Sequence, residues 1–255
     1  MCLIVLAWRA REDLPLVVGA NRDEWRARPT QAAHWWPDHP DLYAGRDLEA
    51  GGTWMGITRG GRFAAITNFR DPSDRRTTAP SRGGLVTEFL LSAEAPEAFL
   101  RSLATRASRY NGFNLIAGDD RSLWCLASRE NGPREIAPGV HGLSNHVLDE
   151  PWPKVVGARE AMSAALEQRD PEPSLEAYLS RTDTVPDEHL PRTGVSLEWE
   201  RRLSPPLITG EDYGTRSTSF VAMDARGDIR LRELTRDARG VVVSVTDNQQ
   251  QRRVA

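Results

Sequence analysis

The sequence predicts an α+β protein in which antiparallel sheets carry helices on their outer faces. Short apolar runs of strand length come in hairpin-like pairs. Segments with helical periodicity come as two pairs set between the strand groups. No linker or change of composition divides the 255 residues. The predicted order is β-β-β-β-α-α-β-β-β-α-α-β-β-β, as one domain over residues 1–246 followed by a polar tail over 247–255.

The first strand is the β-prone run Cys2 to Trp8, and the second is Leu16 to Ala20. Neither alternates cleanly, which predicts strands covered on both faces. The stretch from Arg28 to Tyr43 is rich in proline and aromatic residues and reads as a loop. Trp35 and Trp36 there fit either pocket lining or anchorage to the core. Two further strands, Gly51 to Thr58 and Phe63 to Asn68, flank Gly60-Gly61. Helices are expected over Gly83 to Ser92 and Pro96 to Tyr110, from the spacing of Leu85, Val86, Phe89 and Leu90 and of Phe99, Leu100 and Leu103. Short strands follow at Phe113 to Ala117, Leu123 to Ala127 and Glu135 to Ala137. A third helix runs from Trp152 to Gln168 with Pro153 in its first turn. A fourth spans Ser174 to Ser180, with Ser174 as its N-cap. Residues 182–215 lack periodicity and read as a long loop that could form a lid. A hairpin follows, Arg216 to Met223 with Ile229 to Leu234, then a last strand from Val241 to Val245.

Composition narrows the function. Apolar residues make up 39%, charged residues 27%, and the net charge is −3. These values fit a soluble chain without the basic field that nucleic acid requires. Lys154 is the only lysine among 33 basic residues, so a Schiff-base mechanism has one candidate, and arginine carries anion recognition. The 2 cysteines, Cys2 and Cys125, do not make a disulfide framework, and the 5 histidines show no metal-ligand spacing. No apolar run approaches the ~18 residues of a membrane span. Charged residues from Arg9 onward break the pattern of a signal peptide. A cytoplasmic protein with no required cofactor is expected.

Cys2 carries the most information. Removal of Met1 would put a thiol and a free α-amine on one residue, a nucleophile with its own base. With pKa values of about 8.5 and about 8, one can deprotonate the other near neutral pH. The polar run Asn21-Arg22-Asp23-Glu24 abruptly ends the second strand. A hairpin returns it close to Cys2, where a cation would lower the thiol pKa and a carboxylate would orient the amine. Asn111 and Asn114 read as turn residues, and His141 and His146 as surface or core residues.

With Met1-Cys2 and Asn21-Arg22-Asp23-Glu24, the chain resembles the NRDE-motif, or Transport and Golgi organisation protein 2, family. The resemblance continues through Arg28-Pro29, Gly51-Gly52-Thr53-Trp54-Met55-Gly56, Thr67-Asn68, Tyr110-Asn111-Gly112-Phe113-Asn114-Leu115, Gly142-Leu143-Ser144-Asn145, Pro151-Trp152 and Tyr213-Gly214-Thr215-Arg216. These blocks are in family order and cover nearly the whole chain.

That family is similar in turn to the N-terminal-nucleophile hydrolases of the bile-salt hydrolase and penicillin V acylase type. The resemblance implies a four-layer αββα sandwich and a hydrolase-like site acting on an amide or thioester of a small acyl ligand. In that site Cys2 is the nucleophile, Asn68 and Asn145 bind the oxyanion, and Arg216 lies near the thiol. Asn21, Arg22, Asp23 and Glu24 would support the site or bind ligand. The hydrolases place an arginine and an aspartate three residues apart after the second strand. Here that spacing falls on Asn21 and Glu24, whereas Arg22 and Asp23 are adjacent and alternate in face. The resemblance also implies an alternative on the same fold, a carrier of haem or acyl-CoA that binds without turnover.

Overall fold

The computed structural model describes residues 2–74 and 76–249. The chain opens with six strands: β1 (Cys2–Trp8), β2 (Leu16–Trp25), β3 (Thr30–Trp36), β4 (His39–Asp47), β5 (Met55–Thr58) and β6 (Phe63–Asn68). Helices α1 (Gly83–Leu91) and α2 (Pro96–Ala104) follow, then β7 (Phe113–Gly118), β8 (Leu123–Ala127), β9 (Arg134–Glu135) and β10 (Gly139–Leu143). The remainder is α3 (Pro153–Ala165), α4 (Glu172–Leu179), α5 (Leu197–Arg202), β11 (Tyr213–Met223), β12 (Ile229–Arg236) and β13 (Val242–Asp247).

The strands form two sheets, ordered β10-β1-β2-β11-β12-β13 and β3-β4-β5-β6-β7-β8-β9. Every pairing is antiparallel. Three apolar cores separate four layers. Ile4, Leu6 and Trp8 of β1 pack with Ile57, Phe63 and Ile116 between the sheets. Leu3, Val5 and Ala7 face the other way, against Val155, Met162 and Leu175 of α3 and α4. Leu85, Phe89, Phe99 and Leu103 of α1 and α2 cover the outer face of the second sheet. This is the αββα order expected, and it explains why β1 does not alternate: both of its faces are buried.

Several local expectations are corrected. The proline- and aromatic-rich stretch after Arg28 is not a loop but the hairpin β3–β4. It lies at the sheet edge, where register shifts between Gln31 and His34 and between Trp35 and Trp36 accommodate its irregularity. Trp36 is buried and donates from Nε1 to the Ala44 carbonyl at 3.0 Å, while Trp35 meets Tyr43 edge to face and lies under Arg59. Both are anchors. Strand β10, which the predicted order does not include, ends at Leu143 directly before Ser144, and Leu143 is its one buried large aliphatic residue. Helix α4 starts at Glu172 behind Pro171, so Ser174 lies inside the helix and does not cap it. Residues 182–215 contain α5, capped by Ser196 Oγ on the Trp199 N–H at 3.3 Å, and a small core of Leu203, Ile208 and Tyr213. Strand β13 runs through Asp247, which pairs with Arg230, and Asn248 is also buried and bonded. Paired structure therefore continues past residue 246; residues 250–255 lie outside the described residues.

Candidate active site

Cys2 begins β1, a strand flanked by β10 and β2. It is directly opposite Arg22 in the β1–β2 ladder. Its residue is 7% exposed, and it lines a cavity of about 730 Å³ between the two sheets. Burial pushes the thiol pKa up, and nearby Asp23 adds to this. The Arg22 guanidinium and a hydrogen bond from the Asp23 backbone pull it down.

The loop after β10 fixes the start of the chain. The Cys2 nitrogen donates to Asn145 Oδ1 at 3.4 Å, and Ser144 Oγ donates to the Cys2 carbonyl at 2.9 Å. Asn145 Nδ2 donates to the Asn68 carbonyl at 2.9 Å. One buried amide thus bridges the start of β1 and the end of β6. The Arg70 N–H closes the same junction on the Asn145 carbonyl at 2.7 Å. Asn114, expected to serve a turn, supports this loop from β7: its Nδ2 donates to the His146 carbonyl at 2.8 Å.

The structure gathers most of the residues singled out by sequence. Cys2, Asn68, Arg22, Asp23, Glu24 and Arg216 all line the cavity. Asn145 lies behind its wall, wholly buried, with the contacts to Cys2 and Asn68 just given. Asn21 is turned away. Its Nδ2 donates to the carbonyls of Leu179 and Pro206, both at 2.8 Å, and its Oδ1 accepts from Thr218 Oγ1 at 2.7 Å. The Asn21 and Glu24 spacing is therefore not what faces the thiol. Arg22, paired with Cys2, shares its face, whereas Asp23 reaches the thiol through its backbone and its carboxylate is bonded to Thr215. β11 bulges between Thr215 and Ser217 opposite this point, which twists the end of β2.

Arg216 is the extra residue of that bulge. Its Nη1 donates to the carbonyls of Trp25, Arg26 and Arg28 at 3.0, 3.1 and 3.0 Å. Desolvation, Arg22 and Arg26 all lower its pKa. Asp23 is 2% exposed and accepts from Thr215 Oγ1 at 2.7 Å. Burial raises its pKa, and Lys154 and Arg70 oppose this.

Three features take their role only from folded contacts. Lys154 lies buried beneath the site, donating from Nζ to the Leu203 carbonyl at 2.9 Å, and burial lowers its pKa to about 8. Arg70 and Glu200 form a buried pair at 2.8 Å, with side chains 4% and 5% exposed. Glu233, on β12, reaches across the sheets to accept the Ala33 N–H at 2.9 Å. Lys154 stands out in the sequence as the only lysine, whereas Arg70, Glu200 and Glu233 are isolated charges that only the folded contacts reveal. Asn111 clasps Arg76 at a cavity wall through its N–H and carbonyl, both at 2.9 Å. His141 is engaged by Asp149 and the Ala137 carbonyl, and His146 by Glu150. Cys125 sits in the inter-sheet core, its thiol pushed up to about 12 by burial. Among the described residues no cluster of His, Cys, Asp and Glu is arranged to hold a metal ion, and no helix is long and apolar enough to cross a membrane.

The family model of Transport and Golgi organisation 2 matches residues 1–238. A Transport and Golgi organization protein 2 homolog of Bos taurus is 32% identical, over 91% of this chain and 92% of its own. The Homo sapiens homolog is 31% identical over the same shares. Drosophila melanogaster Transport and Golgi organization protein 2 is 25% identical over 86% of each chain. Among solved structures, a Caenorhabditis elegans N-acylethanolamine-hydrolyzing acid amidase ortholog aligns with a TM-score of 0.43 and 12% identity, covering 88% of this chain and 93% of its own. A mutant conjugated bile acid hydrolase from Clostridium perfringens aligns with a TM-score of 0.46 and 9% identity, covering 100% and 94%.

Proposed function

The chain belongs to the Transport and Golgi organisation 2 family, and on that premise we propose that it acts through an N-terminal-nucleophile site in which Cys2 attacks an amide or thioester of a small acyl ligand. One observation carries this reading: the Cys2 thiol lines the cavity while its nitrogen is held by Asn145 Oδ1. Once Met1 is removed, that nitrogen is the α-amine. It takes the thiol proton as Sγ bonds to the carbonyl carbon. The bond to the leaving nitrogen or sulfur then breaks, and the leaving atom takes the proton. Water attacks the Cys2 thioester in the second half, releasing the acid and restoring the thiol. In this reading Asn68, which lines the cavity, serves as a donor to the oxyanion, a contribution on the order of 3 kcal/mol in such sites. Asn145 acts by holding the amine. Arg22 favours the thiolate against the desolvation that opposes it.

The test is direct. Mass spectrometry of purified protein reads whether Cys2 is the first residue, and an acyl thioester probe reads whether that residue becomes acylated. Turnover should vanish in Cys2→Ala while ligand affinity stays nearly unchanged, because the thiol acts in the transition state. Acyl transfer that persists in Cys2→Ala rejects the reading.

A second reading, a carrier of haem or acyl-CoA, is favoured by the arginines that line the same cavity, among them Arg28, Arg76 and Arg82. Titration of haem and long-chain acyl-CoA into wild type and Cys2→Ala separates the two. Tight binding without products in either protein rejects the enzyme.

A further inference from the structure

We propose that the acyl half of the substrate is hydrophilic and carries a carboxylate, which Arg22 and Arg216 receive on a polar floor running away from Cys2. The inference rests on the hydrolase reading above and adds the substrate class.

The floor follows from strand register. Cys2 pairs with Arg22, Arg22 with Ser217, Ser217 with Thr235, and Thr235 with Ser244. All five line the cavity. They form one row across five strands: a thiol, a guanidinium and three hydroxyls. At ~4.8 Å per strand spacing, the row is ~19 Å long. A fatty acyl chain bound here would desolvate these groups without satisfying them, which is costly. Among the described residues, large apolar side chains on the cavity wall are confined to Trp54, Ile66 and Pro80.

The charge at the thiol end points to an anion. The Arg22 side chain is 9% exposed, and its Nη1 is buried with no hydrogen-bond partner among the described residues. Its Nη2 is only loosely held, 3.6 Å from Glu24 Oε2. A buried guanidinium nitrogen without an acceptor is costly, and a carboxylate oxygen would satisfy it. Arg216, beside it, spends Nη1 on three carbonyls and has no carboxylate partner among the described residues. By contrast, Arg28 is committed to Asp47 and Arg46 to Asp38. Glu233, the acid farther along the floor, already accepts the Ala33 N–H and is pushed toward its neutral form by burial. The loops from Asp47 to Thr53 and from Arg76 to Gly83 form the opposite wall. The leaving group is therefore assigned to the loop side and the acyl group to the floor.

The experiment compares two thioesters of N-acetylcysteamine, octanoyl and mono-suberoyl, which differ by one terminal carboxylate. Each is mixed with protein whose first residue is verified as Cys2. The Sγ–acyl bond forms, the bond to cysteamine sulfur breaks, and that sulfur takes the thiol proton. Mass spectrometry follows the acylated Cys2. The suberoyl ester should acylate at least tenfold faster. Arg22→Gln should abolish that preference, and Arg22→Lys should keep part of it, with folding of each variant checked by circular dichroism. An octanoyl rate equal to or above the suberoyl rate overturns the substrate class and leaves Cys2 as nucleophile. If neither ester acylates Cys2, the hydrolase reading fails, and calorimetry of suberate and octanoate binding to wild type decides the class alone. Suberate binding at least tenfold tighter, lost in Arg22→Gln, upholds the anionic floor; equal or weaker binding overturns it.

Discussion

Asn145 holds the Cys2 nitrogen at 3.4 Å through Oδ1 and ties it to β6 through Nδ2 on the Asn68 carbonyl. The geometry makes this amide a clamp between the nucleophile and the wall opposite. Asn145→Ala leaves the Asn68 carbonyl without that donor and frees the Cys2 amine to turn. We expect a stability loss of about 1–3 kcal/mol, the usual cost of stranding a buried polar group. We also expect acylation of Cys2 to slow at least about tenfold. Denaturant melts and single-turnover acylation measure the two effects. Unchanged acylation in a folded variant would remove Asn145 from the mechanism.

The same clamp shows what is legible in the sequence. Cys2, Asn68 and Asn145 stand at strand ends inside motif blocks, so an antiparallel order brings them to one place. Gly52 is legible only as a motif letter. Its reason is contact: a Cβ there would lie 2.5 Å from the Gly83 carbonyl carbon, where the loop before β5 meets α1. The strands β3 and β4 are hidden, because an edge hairpin with two register shifts breaks the period that marks a strand. The position of Arg216 is hidden too, because it is the extra residue of a bulge in β11 opposite the end of β2, nearly two hundred positions earlier in the chain. The pairing of Arg70 with Glu200 leaves no trace in sequence, since long-range charge pairs have no periodicity.

That pair yields the second prediction. Glu200 Oε2 is 2.8 Å from Arg70 Nη1, and Glu200 Oε1 accepts from the N–H and hydroxyl of Thr193 at 2.9 and 2.6 Å. Glu200 thereby docks α5 and the segment before it onto the loop that follows Asn68. Glu200→Gln takes the compensating charge from a buried guanidinium and should destabilise the protein by about 3–5 kcal/mol. The double variant Arg70→Met/Glu200→Met should be less damaging than Glu200→Gln alone, because neither member of the pair is then left buried without the other. Urea denaturation of the three proteins checks the order. A Glu200→Gln cost below about 1 kcal/mol would show that water reaches Arg70.

Lys154 sets a distinct pH signature. Burial lowers its pKa from the usual 10.5 to about 8, against the pull of Asp23. Below pH 8 the ammonium is charged in both the folded and unfolded chain, so the full cost of burying it is present. Between about pH 8 and 10.5 the unfolded chain holds a proton that the folded chain has released. Stability from this group therefore rises with pH across that window. That lowering of the pKa corresponds to about 3 kcal/mol. Above 10.5 both states are neutral and the gain is complete. Lys154→Met removes this titration. The stability of wild type relative to Lys154→Met should then increase by about 3 kcal/mol between pH 7.5 and pH 10.5, read by chemical denaturation at fixed ionic strength. Groups that titrate alike in both proteins cancel in the difference. A difference that stays flat, or falls, would mean that Lys154 keeps its proton in the folded state and that the Leu203 carbonyl and Asp23 outweigh its desolvation.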